Sequence, residues 1–333
     1  VADDKKVLVT GGAGYIGAHT CKALALAGYS PLVYDNLSAG YRDFVRWGEL
    51  VHGDVLDIHK LCEVMRVHAP LGVIHFAARI EVGESVLNPG LFYRNNVGGI
   101  LSLLEAMRLS GLRNIVVSGT CAIYGAPERQ PIAEDAPILP LSPYAASKAM
   151  MERILDDFEA AHGLRSAVLR YFNASGADPE GEIGERHRPE THLIPRVFMA
   201  AAGEIPAFTL YGEDYPTQDG TCLRDYIHVN DLASAHILAL EKLLQGEGGL
   251  KLNLGTGQGY SVREILEKSR QITGRNIPCS TLPRRPGDSP ALVGQVSLAK
   301  EKLGWQAGHS SLENILSTAW EWHRRDRLSP ARG

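Results

Sequence analysis

No stretch of the chain approaches the ~18 consecutive apolar residues that a membrane-spanning helix needs. The opening VADDKK lacks the basic-then-apolar order of a secretory leader. Five cysteines (Cys21, Cys62, Cys121, Cys222 and Cys279) are scattered singly without a C-x-x-C pair, which argues against a disulfide framework or a zinc ribbon. No basic stripe is present and the formal net charge is −4, so neither nucleic acid nor a membrane surface is an expected partner. No metal site is expected, and there is no internal repeat, low-complexity tract or flexible linker. A globular protein of a reducing, cytoplasmic compartment is the expectation, and 333 residues favour two lobes over one core. Anionic small molecules stay open as ligands, because a local arginine cluster binds them whatever the global charge.

What the sequence does contain is an alternation of short apolar runs with longer amphipathic stretches. KKVLVTGG reads as a buried strand and YIGAHTCKALALAG as a helix; SPLVYDN, GVIHFAA and RNIVVSGT read as further strands, with the helix NNVGGILSLLEAMRLSG before the last. RSAVLRYFN and KLNLGTG read as later strands, the second following the helix NDLASAHILALEKLL. Strands separated by helices predict right-handed βαβ units, and hence an α/β fold with a Rossmann-type doubly wound parallel sheet. From about residue 174 onward proline, glycine and charge increase, predicting a smaller, irregular lobe rich in long loops. The expected division is 1–173 for the sheet domain and 174–333 mainly for the second lobe. The two interleave, because a strand and helix near 225–256 return to the first.

VLVTGGAGYIG sets Gly11, Gly12, Gly14 and Gly17 between the first strand and first helix. It satisfies G-x-G-x-x-G from Gly12 and G-x-x-G-x-x-G from Gly11. Glycine permits the tight turn, the close approach of backbone to a pyrophosphate and the helix–strand packing, while the helix N-terminus offers free N–H groups. An acid ends the next strand: Asp35, in VYDNL. A carboxylate there accepts from a ribose diol and repels a 2′-phosphate, so NAD is expected over NADP.

SPYAASK places Tyr144 and Lys148 four residues apart, on one face of a helix. Alone the pair is an ordinary solvated face; beside a bound dinucleotide, with Thr120 at the end of VVSGT, it resembles the Ser/Thr–Tyr–Lys set of the short-chain dehydrogenase/reductase superfamily. A free phenol titrates near ~10, and bringing it to neutrality needs ~4 kcal/mol of differential stabilisation. Lys148 and the nicotinamide charge are the expected sources in a sheltered site, with Thr120 holding the reacting oxygen.

The resemblance then narrows. GGAGYIGAHT, YDNLS, HFAARIEVGESV, NNVGGILSLLEAM, SPYAASK, RYFNASGADPEG, DGTCLRDYIHVNDLA, NLGTG and RRPGD follow the order seen in UDP-glucose 4-epimerases of the extended branch, over nearly the whole chain. That resemblance implies epimerisation at C4 of a UDP-hexose through a 4-keto sugar, with tightly held NAD and the second lobe binding the UDP-sugar. It implies Tyr144, Lys148 and Thr120 as the catalytic set. Gly11, Gly14, Tyr15, Ile16, Gly17, Asp35, Asn36, Asp54, Val55, Phe76, Ala77, Asn95 and Phe172, with Tyr144 and Lys148, are the implied cofactor contacts. Asn173, Arg224 and Arg285 are the implied diphosphate contacts, the arginines because a guanidinium fork suits phosphate. His192, Leu193, Tyr226 and Asp288 would surround the nucleotide, with Tyr211 beside the uracil. Relatives also imply a homodimer, paired through NNVGGILSLLEAMRLSG and the helix that carries Tyr144.

Departures from the family pattern qualify this. Ile80 stands where some members carry a lysine toward the cofactor's diphosphate, with Arg79 next door; His192 replaces a common asparagine. Leu292 occupies a position where a tyrosine in some members limits room beside C2, so its smaller side chain predicts space for an N-acetyl group and turnover of UDP-GlcNAc/UDP-GalNAc. A UDP-xylose/UDP-arabinose 4-epimerase shares this machinery. A 4,6-dehydratase needs an Asp–Glu pair where Cys121 and Ala122 stand, and a non-catalytic NAD(H)-sensing protein usually lacks the Tyr or Lys.

Overall fold

The computed structural model describes residues 5–285 and 288–328; Pro286 and Gly287 of RRPGD lie outside the described residues. β1 (Lys6–Thr10) runs into the glycine turn and α1 (Tyr15–Leu26), followed by β2 (Ser30–Asp35) and β3 (Glu49–His52). Then come α2 (Ile58–His68), β4 (Gly72–His75), the short α3 (Val82–Leu87) and α4 (Pro89–Phe92), and α5 (Gly98–Leu109). β5 (Asn114–Ser118), α6 (Pro143–His162) and β6 (Arg165–Tyr171) complete this part. Beyond it the order is β7 (Asn173–Ser175), α7 (Leu193–Ala202), β8 (Phe208–Tyr211), β9 (Leu223–His228), α8 (Val229–Leu244) and β10 (Leu250–Leu254). Last are β11 (Gly259–Ser261), α9 (Val262–Thr273), β12 (Cys279–Leu282), β13 (Ala291–Leu292), α10 (Ser297–Leu303) and α11 (Leu312–Leu328).

Seven strands form one parallel sheet in the order β10-β6-β5-β4-β1-β2-β3. Both faces of this sheet are buried. Val7, Val9, Val33 and Ile74 pack with Cys21 and Leu24 of α1 and with Leu232, Ala235 and Leu240 of α8. The alternate residues Leu8, Leu32, Val73 and Ile115 pack with Leu61 of α2, Leu103 of α5 and Met151 and Leu155 of α6. Two covered faces explain why the strands read as unbroken apolar runs. The fold is thus the expected Rossmann-type α/β. Successive strands step outward in opposite directions from β1 and β4, which leaves a crevice at their carboxyl ends, the place where this topology binds ligands.

The expected strand RSAVLRYFN divides. β6 stops at Tyr171, and after Phe172 the chain leaves the sheet as β7, which pairs in parallel with β9 and brings Asn173 opposite Tyr226. Phe172 is buried with Cys121, Ile123, Tyr124 and Ile132, so a core side chain marks the exchange between sheets. The second lobe is also more regular than its composition suggested. Val197 and Phe198 of α7, Phe208 and Leu210 of β8, Ile265 and Leu266 of α9, and Ile315, Leu316 and Trp320 of α11 form a core of their own. Among the described residues, no helix is long and apolar enough to cross a membrane.

Ser142 caps α6, its side chain accepting from the Ala145 N–H, and Pro143 fills the first helical position. Further along, Glu152 of α6 meets Arg170 of β6 in a fully buried two-bond pair, Nε to Oε1 at 2.9 Å and Nη2 to Oε2 at 2.6 Å. Arg170 also donates to the Tyr124 hydroxyl and the Glu134 carbonyl. Removing one partner strands a charge in the interior, so Arg170→Met is expected to cost ~3–5 kcal/mol. Urea unfolding measures this; a loss under ~1 kcal/mol means that water reaches the pair.

Candidate functional site

Two glycines fix the turn at the head of α1. Gly11 has a φ of +73°, and a Cβ there would lie 2.6 Å from the Ala77 nitrogen; one at Gly17 would lie 2.2 Å from the Gly11 oxygen. The strand ends are locked around them: Gly11 N–H donates to the Tyr34 carbonyl, and the Phe76 and Ala77 N–H groups donate to the Thr10 carbonyl. Gly14 precedes α1, Tyr15 sends its hydroxyl to the Gly176 carbonyl at 2.6 Å, and Ile16 packs into the α1–α8 core. Asp35 closes β2 with one carboxylate oxygen accepting from Ala13 N–H at 3.0 Å and the other from Leu37 N–H at 2.8 Å. Burial raises its pKa, and those two N–H donors oppose the rise. Beside it Asn36 donates to Asp54 at 2.8 Å, while Val55 is buried against α2 and α5. A backbone cradle at a helix N-terminus, walled by glycines and followed by a carboxylate, fits a dinucleotide.

Across the crevice, Tyr144 and Lys148 occupy the first two turns of α6, and Thr120 lies just beyond β5. Thr120 lies near enough to the Tyr144 phenol to favour its ionised form, while its own hydroxyl accepts from Ala122 N–H. Lys148 is buried, and its Nζ donates to the Ser118 carbonyl at 2.8 Å. The expected acidity of the phenol draws on the nicotinamide charge as well as on Lys148. Within the chain itself, burial pushes Tyr144 up to about 12, against the lowering effect of Thr120, and Cys121 and Glu81 add to the rise. The same burial brings Lys148 down to about 8, with Glu152 acting in the other direction. The ammonium is engaged with a carbonyl of β5, so it does not by itself offset the cost of a buried phenolate.

On the second-lobe side, Asn173 is exposed at the start of β7. Arg224 of β9 donates to the Leu223 and Ser289 carbonyls at 2.8 and 2.9 Å and meets Asp288 at 3.4 Å. The Arg285 guanidinium lies over the Tyr211 ring, 3.9 Å from its centroid, so these two expected contacts form one unit. Leu292 of β13 pairs with Arg224 and packs against the cluster of Cys121 and Phe172. Tyr226 is only 3% exposed and belongs to the second lobe's core, so its ring is a packing element first. His192 precedes α7 and faces Glu185 and Glu190, while Leu193 opens the helix against the second core. Next to Ile80, which is half-exposed, the Arg79 guanidinium lies 3.9 Å from Glu84.

Several functional neighbours escaped the sequence reading. Next to Asn95, the expected cofactor contact, the buried Asn96 is an anchor: it accepts from Arg79 N–H and Asn95 Nδ2 and donates to the Arg79 carbonyl and the Ser147 hydroxyl. It thereby ties the loop after β4 to α6, from a π-helical turn at Tyr93–Val97 that no periodicity announces. Tyr171 shares a short hydrogen bond with Ser118 and lies within electrostatic reach of Tyr144. A tyrosine in RYFN was visible as a motif letter, but its partner on β5 was not. For the cradle, Asp35→Asn removes the charge while keeping the shape. The preference for NAD over NADP is expected to fall about tenfold, the worth of a charged hydrogen bond at ~1.5 kcal/mol. Fluorescence titration with both dinucleotides checks it; an unchanged ratio places discrimination elsewhere.

The model of the "NAD dependent epimerase/dehydratase family" matches residues 7–255. The UDP-glucose 4-epimerase of Rhizobium leguminosarum bv. trifolii is 50% identical over 319 residues, 96% of this chain and 97% of that one. The crystal structure of UDP-glucose 4-epimerase from Brucella ovis in complex with NAD superposes with a TM-score of 0.93 at 54% identity, covering 95% of this chain and 97% of that chain. A Stenotrophomonas maltophila UDP-glucose-4-epimerase, solved with NAD and formylated UDP-arabinopyranose, gives 0.95 at 39% identity, covering 98% and 100%. Motifs in the expected order, a sheet reversing between β1 and β4, a glycine cradle and relatives matching over nearly the full length agree: the chain belongs to the NAD dependent epimerase/dehydratase family, and NAD is its cofactor.

Proposed function

We propose that the chain interconverts UDP-glucose and UDP-galactose by epimerisation at C4. The observation that carries this reading is the grouping of Tyr144 with Thr120, and of Lys148 one turn on, beside the crevice where the dinucleotide cradle opens. When bound, NAD supplies a reversible hydride acceptor and, while oxidised, a fixed positive charge. Gly11, Gly14 and Gly17 with the first turn of α1 hold its diphosphate, Asp35 a ribose, and Phe76, Ala77, Asn95 and Phe172 the groups toward the sheet's other half. Tyr144 as phenolate takes the proton of the C4 hydroxyl, Thr120 orients that oxygen, and Lys148 supports the phenolate. The 4-keto sugar turns over, and Tyr144 or Thr120 returns a proton to the oxygen on the other face. Rotation requires that affinity reside in the UDP part. Arg224, Arg285 and Asn173 toward the diphosphate and Tyr211 beside the uracil serve this, with His192, Leu193, Tyr226 and Asp288 bordering the nucleotide.

Cys121 and Ala122 replace the carboxylates of a dehydratase, and burial pushes the Cys121 thiol up to about 12, beyond acid–base work at neutral pH. A second reading, UDP-xylose/UDP-arabinose epimerisation, draws on the pentose ligand of the Stenotrophomonas neighbour. We read the apolar residues left exposed on α5 and α6, Leu101, Leu109 and Met150, as the face of a homodimer. Five unpaired cysteines accord with a cytoplasmic location.

Incubating the purified protein with UDP-glucose, UDP-galactose, UDP-GlcNAc and UDP-xylose, without added NAD, and separating the products tests the reading. UDP-galactose and UDP-glucose are expected to interconvert, and Tyr144→Phe is expected to lose ~10²–10⁴-fold in rate. Near wild-type turnover by that variant overturns the mechanism. UDP-GlcNAc is expected to turn over as well and to be lost selectively in Leu292→Tyr; no GlcNAc conversion by the wild type means that Leu292 does not open the pocket.

A further inference from the structure

Eight residues between β7 and α7 read E-x-H-x-x-E-x-H: Glu185, His187, Glu190 and His192. Each turns one donor atom inward, and the four atoms all lie within 4.8 Å of one another. His187 Nδ1 is 3.4 Å from Glu185 and 3.6 Å from Glu190; His192 Nδ1 is 3.1 Å from Glu185 and 2.9 Å from Glu190. An ion held tetrahedrally by nitrogen and oxygen at about 2.0–2.1 Å spaces its donors about 3.3–3.4 Å apart. The observed separations bracket that edge length.

Two further features point the same way. His187 Nδ1 is a buried atom with no hydrogen-bond partner, although two carboxylates flank it. The carboxylates are themselves well buried, with Glu185 9% and Glu190 11% exposed, and among the described residues neither forms an ion pair with a lysine or arginine. Arg186, between Glu185 and His187 in sequence, turns away to Asp43, Asp326 and the rings of Tyr41, Phe44 and Trp322. The other such cluster among the described residues behaves differently. Asp178, Glu180 and Glu182 surround Lys22 Nζ at 2.8, 2.5 and 2.8 Å, so a side-chain cation already fills it.

We propose that Glu185, His187, Glu190 and His192 bind one divalent transition-metal ion, Zn²⁺ by donor chemistry. Two carboxylates neutralise the ion's charge and two neutral imidazoles complete a closed set, whereas calcium requires six to eight oxygens. The ion is structural: it takes no part in the hydride chemistry, and through His192 it steadies one residue of the nucleotide border proposed above. Its effect is to fix the segment that enters α7 at His192 and lies within electrostatic reach of Tyr15 at the head of α1. No cysteine belongs to the set, so the lack of a C-x-x-C pair has no bearing on it.

The test uses the full-length protein, stripped with a chelator, incubated with ZnCl₂ and desalted, with metal counted by plasma mass spectrometry. One zinc per chain is expected for the wild type and for Glu180→Gln, and less than a tenth of that for His187→Ala and Glu190→Gln. Zinc is expected to raise the melting temperature of the wild type but not of those two variants. Because a variant that fails to fold also loses metal, Co²⁺ is added to the wild type, where intense visible d–d bands of a tetrahedral site are expected. The proposal is overturned if the desalted wild type keeps no ion, if His187→Ala keeps as much, if binding is lost in Glu180→Gln instead, or if cobalt gives only the weak bands of an octahedral complex.

Discussion

Burial at the carboxyl edge of β5 governs the chemistry of this protein. A half-buried phenol and a buried ammonium lie together there, and each resists its charged form: Tyr144 is pushed up to about 12 and Lys148 brought down to about 8. In water the lysine would be a secure cation and the phenol a weak acid. There the phenol resists ionising until a further positive charge enters its surroundings, because the cost of the anion grows as the dielectric falls. On the mechanism proposed above, Tyr144 is therefore a conditional base, held neutral until the oxidised cofactor brings that charge. An epimerase needs this behaviour, since the same oxygen must first take a proton and later give one back.

The scaffold maintains that enclosure through a few long-range ties. The Glu152–Arg170 pair fastens α6 to β6 one turn beyond Lys148, and Asn96 fastens the loop after β4 to α6 through Ser147. On the opposite side, Asp225 next to Arg224 accepts from the N–H groups of Thr256, Gly257 and Gly294. That carboxylate binds β9, the turn after β10 and the strand bearing Leu292 into one unit, so the two lobes share a boundary that runs through the site. Phe172 sits on it, ending β6 and filling the space beside Leu292 and Cys121.

Much of the fold was legible because burial on both faces leaves long apolar runs and glycine marks the turns between them. Tyr144, Lys148, Asp35 and the glycines were legible for the same local reason: each belongs to a short motif with its own geometry. What escaped reading depends on partners distant in sequence. β3 is four residues of mixed polarity that become a strand only by pairing with β2. Asn96 looks equivalent to Asn95 until Ser147 is placed beside it. Tyr226 reads as a ligand contact from its motif, while its packing in the second lobe's core rests on α7, α9 and α11. How Lys148 and the nicotinamide charge divide the work of acidifying the phenol is not local either, because the lysine's hydrogen bond to the Ser118 carbonyl comes from a distant strand.

The conditional base is tested most directly by titrating the Tyr144 phenol itself. Carbon-13 labelling of the tyrosine ring carbon bearing the hydroxyl lets NMR follow ionisation, with Tyr144→Phe assigning the resonance. In the complex with oxidised NAD the phenol is predicted to titrate well below its ordinary ~10, and with the reduced cofactor to remain protonated beyond it. The same titration midpoint in both redox states would contradict the account, because the charge that ionises Tyr144 would then come from the protein alone.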